Sequence, residues 1–333
     1  MNKKLIFGIA VLVFVLIFSI FFIFSEKNCG DETFENQCSL TKPYFCEKGK
    51  LIEKASICGC PDFFEAQVDL CYSKYQINPK KIFLKYILNG KEDEIEFSVY
   101  EGVVNYISNV SKSINYFGGD APSRLDFKLK HLEEPVQREF LLPLVVEIQN
   151  LGLNKKDQTR VAISLVQNIP YNETEDKSIG IRWDFDVNRS RYPYEVLYDM
   201  QGVCEGKSEL LSFLLKEIGY GVGIFYYSEE DHEAVGIKCS LEYSLDKTGY
   251  CFVETTGPAI ISDDKNYYLD WGKLNSTPEL LIISDGNVFE KANEFKDAQK
   301  KIELSNLIEE NGQITRLQKI RFEKIKKRYG LEL

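Results

Sequence analysis

Histidine is nearly missing from this chain: there are two in 333 residues, His131 and His232. Any chemistry that needs an imidazole must therefore run through one of two positions. The core of the sequence holds no glycine-rich phosphate loop and no metal-ligand cluster, so neither a cofactor nor a metal is expected. Positive charge is in deficit, with 41 Lys and Arg against 51 Asp and Glu and a net charge of −10, which argues against nucleic acid as a general partner. Low-complexity tracts and internal repeats are absent as well, which excludes a solenoid.

Long hydrophobic runs are absent but for one. Leu5 to Phe24 reads LIFGIAVLVFVLIFSIFFIF, uncharged throughout and as long as a helix must be to cross the hydrocarbon layer. Lys3 and Lys4 precede it, and Ile20 to Ser25 offers no small-x-small cleavage site. The expectation is a cytoplasmic N-terminus (1–4), an uncleaved transmembrane anchor (5–24) and an extracytoplasmic remainder. The protein is then single-pass, with the cell membrane as a partner.

Cysteine supports the same side of the membrane. Of nine cysteines, Cys29, Cys38, Cys46, Cys58, Cys60 and Cys71 crowd into a polar stretch with little hydrophobic pattern. Burial will not hold such a stretch together, and disulfides in an oxidising compartment are the usual remedy. The stretch has no histidine and no paired C-x-x-C knuckles, so zinc is not favoured. A disulfide-rich module over 25–75 is predicted, its pairing left open.

A main domain follows over 76–285, and a charged helical tail over 286–333 ends in a basic cluster from Arg316 to Arg328 that reads as a solvated helix face. Lys81 to Leu88 and Ile95 to Tyr100 flank Asn89-Gly90 and predict a β-hairpin. Helical spacing recurs from Val136 to Ile148, interrupted by Pro143. It recurs again after Asp157, a candidate cap, until Ile169-Pro170. Leu210, Leu211, Leu214, Leu215 and Ile218 line one face of a further helix that Gly219 should close. The period then changes to two, predicting strands over 222–227, 231–241 and 250–256, with a fourth near 280–283.

Cys204 opens the helix that Gly219 closes, in the run Gly202-Val203-Cys204-Glu205-Gly206-Lys207-Ser208. A thiolate is the reactive form of cysteine, and a helix N-terminus favours negative charge through its dipole and unpaired N–H groups. Gly202 and Gly206 are expected to let a substrate backbone come close. In the strand pattern after Asp231, His232 shares a face with Ala234 and Gly236, whose small size leaves room beside the imidazole. In the next strand Glu254 shares a face with Phe252. An antiparallel pairing can put His232 and Glu254 together, and a thiol, then an imidazole, then a carboxylate is the order of a thiol acyl-transfer site. Cys239 and Cys251 would share the opposite, apolar face, and pairing them leaves Cys204 as the odd thiol. The two pairings conflict. Setting Cys239 opposite Cys251 displaces Glu254 about four residues from the position facing His232, so an irregular ladder is expected. His131, among Lys128, Lys130 and Glu133, reads as a surface residue.

The segments Tyr192-Pro193-Tyr194-Glu195-Val196-Leu197, Gly202 to Tyr220, Asp231 to Ile237 and Phe252 to Thr256 resemble the transglutaminase-like superfamily, over roughly Asp157 to Pro258. The resemblance implies an α+β fold with a papain-like core, the cysteine helix packed on an antiparallel sheet. It further implies Cys204 as nucleophile, His232 as general base and acid, and Glu254 as orienting carboxylate. The chain departs from the family in having Glu254 where Asp is usual, and Glu205 where the crosslinking enzymes have an aromatic residue. Gln201 and Trp183 are candidate second donors to an oxyanion. The expected activity is a membrane-anchored, extracytoplasmic cysteine peptidase, amidase or acyltransferase acting on a protein or peptide. The alternative is a catalytically inert surface module that binds a protein or envelope partner.

Overall fold

The computed structural model describes residues 28–175, 191–264, 274–290 and 293–331. The predicted anchor, 5–24, lies outside the described residues, as does Trp183. Among the described residues no helix is long and apolar enough to cross a membrane. The fold is mixed α/β, and its sheets are antiparallel.

The cysteine-rich stretch folds as β1 (Tyr44–Glu47), β2 (Lys50–Glu53), α1 (Ala55–Cys58), β3 (Glu65–Gln67) and β4 (Leu70–Tyr72). Its staples are Cys29–Cys46, Cys38–Cys58 and Cys60–Cys71. Their small apolar cluster is completed from outside the stretch by Val146. Asn150 grips both polar groups of Leu51, accepting from its N–H at 2.8 Å and donating to its carbonyl at 2.9 Å. The module is therefore docked on the body of the protein.

β5 (Pro79–Leu88) and β6 (Lys91–Tyr100) form the hairpin predicted around Asn89-Gly90, and both turn residues have positive φ, 54° and 80°. Ile82, Leu84, Tyr86, Ile95, Phe97 and Val99 are buried in strict alternation. α2 (Glu101–Ile107), α3 (Arg124–Leu132), α4 (Pro135–Gln149) and α5 (Lys155–Gln167) follow. α4 continues through Pro143. α5 is capped by Asn154, whose side chain accepts from the Asp157 N–H, so Asp157 sits one turn inside the helix it was expected to start. The reason is stereochemical: an N-cap needs extended backbone before the first turn, and Asn154 supplies it at ψ 160°.

α6 (Pro193–Asp199) leads to α7 (Cys204–Ile218), the helix at the centre of the molecule. α7 packs on α5 and α6 on one side and on the sheet on the other. It stops at Gly219, where φ is 105° and the amide of Tyr220 reaches back to the Leu215 carbonyl. The sheet contains β7 (Val222–Tyr227), β8 (His232–Lys238), β9 (Tyr250–Val253) and β10 (Glu279–Ser284), in the spatial order β10-β7-β8-β9. The C-terminal segment is two helices, α8 (Asn293–Asn311) and α9 (Arg316–Tyr329), and α8 buries Phe295, Ala298 and Leu304. The basic residues from Arg316 to Arg328 are not buried, while Phe289 and Phe295 earlier in the segment belong to the main core.

Candidate active site

α7 begins at Cys204 with Val203 in extended backbone before it, and Val203 provides no side-chain cap. The positive end of the helix is thus left for another acceptor. Beyond its first turn α7 buries Leu210, Leu211, Phe213, Leu214, Leu215 and Ile218, and this holds the cysteine against the sheet. Cys204 is 6% exposed, and it is the one free cysteine of the chain.

His232 opens β8 and Glu254 follows β9. Both are buried, and His232 Nε2 lies 3.0 Å from Glu254 Oε2. The predicted conflict between this pair and the Cys239–Cys251 disulfide does not arise. In the observed register Val235 faces Val253 and Ile237 faces Cys251, with no shift in the ladder. Continued outward, this register sets Glu254 opposite Ala234 and Cys239 opposite Gly249. Each pair is a diagonal, so the offset of about four residues is shared between the two ends of the hairpin. The disulfide forms at one end with its Cα atoms 5.7 Å apart, and the imidazole meets the carboxylate at the other.

The second oxygen of Glu254 accepts from the N–H groups of Thr255 and Thr256, both at 2.9 Å, and from the Thr256 hydroxyl at 2.8 Å. Burial alone would raise the carboxyl pKa. The charge and hydrogen bond of His232, with the Thr256 donors, overcome this and hold it at about 2. For His232 burial disfavours the charged form, yet the charge of Glu254, hydrogen bonds with Cys204 and Glu254, and the charge of Cys204 raise its pKa well above the ordinary value. The ring is held between acid and thiol, and its charged form is favoured.

Lys207, one turn along α7, is wholly buried and donates to the carbonyls of Ile169 at 2.5 Å and Thr256 at 3.2 Å. Burial lowers its pKa to about 7, against the opposing charges of Glu254 and Cys204. Ser208 is also buried, bonding to the Glu233 carbonyl at 3.2 Å and the Thr255 hydroxyl at 3.1 Å. Behind these groups Lys128 of α3 is enclosed by Glu205, Glu209 and Glu233, at 2.7, 2.9 and 2.9 Å. One ammonium thus ties the residue after Cys204 to the residue after His232. His131, expected at the surface, is 1% exposed and sits 3.2 Å from Glu209. A local reading of its charged neighbours misses that they turn inward to this cluster.

Two further expectations are corrected. Gly202 and Gly206 do not open a path to substrate: a Cβ on either would meet a Val196 methyl, at 3.1 Å and 2.8 Å, so they let α6 approach α7. The space beside Ala234 and Gly236 is filled by aromatic rings, with Phe225 3.0 Å from the position of a Cβ at Gly236. Gln201 is exposed on the loop before α7. Lys207, Ser208 and Lys128 went unrecognised in the sequence. For Lys207 and Ser208 a signal existed: they are polar residues one turn from Cys204 on a helix otherwise apolar enough to be enclosed.

Among the described residues no group of His, Cys, Asp and Glu side chains is arranged to hold a metal ion. A scan against models of protein families finds no match, and a search of curated proteins finds none.

Proposed function

We propose that the chain is a thiol-dependent acyl-transfer enzyme with a transglutaminase-like, papain-like core, anchored in the membrane by residues 5–24 with its catalytic body outside. One observation carries the reading: a buried His232 bonded to Glu254 at 3.0 Å also interacts with Cys204, the only thiol outside four disulfides. The four disulfides are what an oxidising compartment permits.

The Cys204 sulfur attacks the carbonyl carbon of an amide, and the carbonyl oxygen takes the negative charge at the uncapped start of α7. His232 gives its proton to the leaving amine, the C–N bond breaks, and a thioester remains. Water or a second amine then attacks the thioester while His232 takes the proton back, and the thiolate leaves. Glu254 keeps the imidazole oriented and favours its charged form throughout. The substrate is a protein or peptide.

The inert-module reading draws on the 6% exposure of Cys204, which would make the thiol a packed core residue. Alkylation separates the two. Iodoacetamide at neutral pH should modify Cys204 at least tenfold faster than a free thiol, and His232→Ala should remove the excess. A wild-type rate equal to that of a free thiol would sink the enzyme reading.

A further inference from the structure

Three of the four charged groups at the site are accounted for by the mechanism. When the sulfur and Glu254 are both ionised and His232 is protonated, the trio carries one uncompensated negative charge inside the protein. Buried charge of that kind is costly unless matched. Among the described residues, the charged cluster behind the site does not supply the match. Lys128 is already shared among Glu205, Glu209 and Glu233, with Arg124 on Glu233 and His131 on Glu209. The basic groups of that cluster are taken up by its own three carboxylates.

Lys207 stands on the other side, on the same helix as the nucleophile. Its ammonium bonds the carbonyl of Thr256, whose own N–H and hydroxyl hold Glu254. It also bonds the carbonyl of Ile169 at the end of α5. A lysine kept wholly inside for packing alone would gain little, since an apolar side chain fills the same volume without the desolvation cost.

We infer that Lys207 is a positioning residue whose ammonium balances the ionised pair of Glu254 and Cys204 and fixes the Thr255-Thr256 turn that holds Glu254. The inference rests on the acyl-transfer reading above and extends it. Its consequence is directional: removing the positive charge makes ionisation of the sulfur harder, so thiol reactivity should begin at higher pH.

The experiment is the rate constant of Cys204 alkylation by iodoacetamide in the full chain, measured across pH for wild type, Lys207→Gln, Lys207→Met and Lys207→Arg. Both neutral variants should move the acid limb upward by about one pH unit, a tenfold lower rate at a given acidic pH, and Lys207→Arg should leave it within about 0.3 unit of wild type. Slower rates with an unmoved midpoint would mean that Lys207 only supports the fold, and would overturn the inference while leaving the enzyme reading intact. A wild-type rate no faster than a free thiol overturns both.

A second measurement needs no substitution. Coupling between two sites is reciprocal. Converting Cys204 to its neutral carbamidomethyl form in wild type should therefore lower the Lys207 titration midpoint, followed by NMR of 13Cε-labelled lysine, by about one unit. An unchanged midpoint would overturn the inference even if the neutral variants did not fold.

Discussion

Glu254→Gln changes charge at the site while keeping shape. One carboxylate oxygen takes three donors, the Thr255 and Thr256 N–H groups at 2.9 Å and the Thr256 hydroxyl at 2.8 Å, and the other faces His232 Nε2 at 3.0 Å. An amide has one oxygen and one nitrogen that only donates. If its oxygen turns to the threonines, its NH2 meets Nε2, which accepts only when the imidazole is neutral with its proton on Nδ1, so the charged form is lost. If its oxygen turns to the imidazole, the NH2 confronts three donors. One orientation forfeits the charged imidazole, and the other leaves three buried donors facing an NH2.

The magnitude follows from the carboxyl itself. Its pKa stands at about 2 against an ordinary 4.5. A depression of that size corresponds to about 3 kcal/mol of native-state stabilisation, shared with His232 and counted once for the pair. Because the folded value is depressed, the contribution is fully present above pH 4.5 and is lost as pH falls toward 2. Equilibrium denaturation of the full chain under non-reducing conditions should show Glu254→Gln less stable by about 3 kcal/mol at pH 7, with the gap to wild type closing below about pH 4.5. A variant within about 0.5 kcal/mol of wild type at pH 7 would refute the reasoning, since a change of that size is typical of a surface site.

Much of the fold was legible because local rules and tertiary demands agreed. The hairpin around Asn89-Gly90 announced itself through a turn that needs positive φ. Gly219 announced the end of α7 in the same way. Cys204, His232 and Glu254 were legible through their order and the alternation of the strands. Alternation fixes which face a side chain occupies and says nothing of how far one strand slides along the next in steps of two. The sequence therefore put His232 and Glu254 on one face but left the register open, and the diagonal solution is visible only in the fold. His131 was misread, and Lys128 passed over, for a different reason. Their partners Glu205, Glu209 and Glu233 lie on α7 and β8, distant in sequence, so nothing near residue 130 signals burial. The glycines beside Cys204 failed similarly: a small residue permits close approach, and the sequence does not say whether ligand or helix arrives.

Two substitutions test these tertiary readings. Lys128→Met removes the ammonium shared by Glu205, Glu209 and Glu233 and should cost about 3–5 kcal/mol in chemical denaturation at pH 7. The loss should shrink by pH 5.5, because burial already raises the Glu233 pKa to about 7, so its protonated form stabilises the fold below 4.5 and that contribution is lost as pH rises toward 7. An equal loss at both pH values would refute that account. Gly206→Ala sets two effects against each other. Alanine is the better helix former by about 1 kcal/mol, yet its Cβ would lie 2.8 Å from Val196 Cγ2, and overpacking costs about 1–3 kcal/mol. A net loss is expected, and Val196→Ala on top of it should recover at least about 1 kcal/mol relative to additivity. Strict additivity would refute the contact.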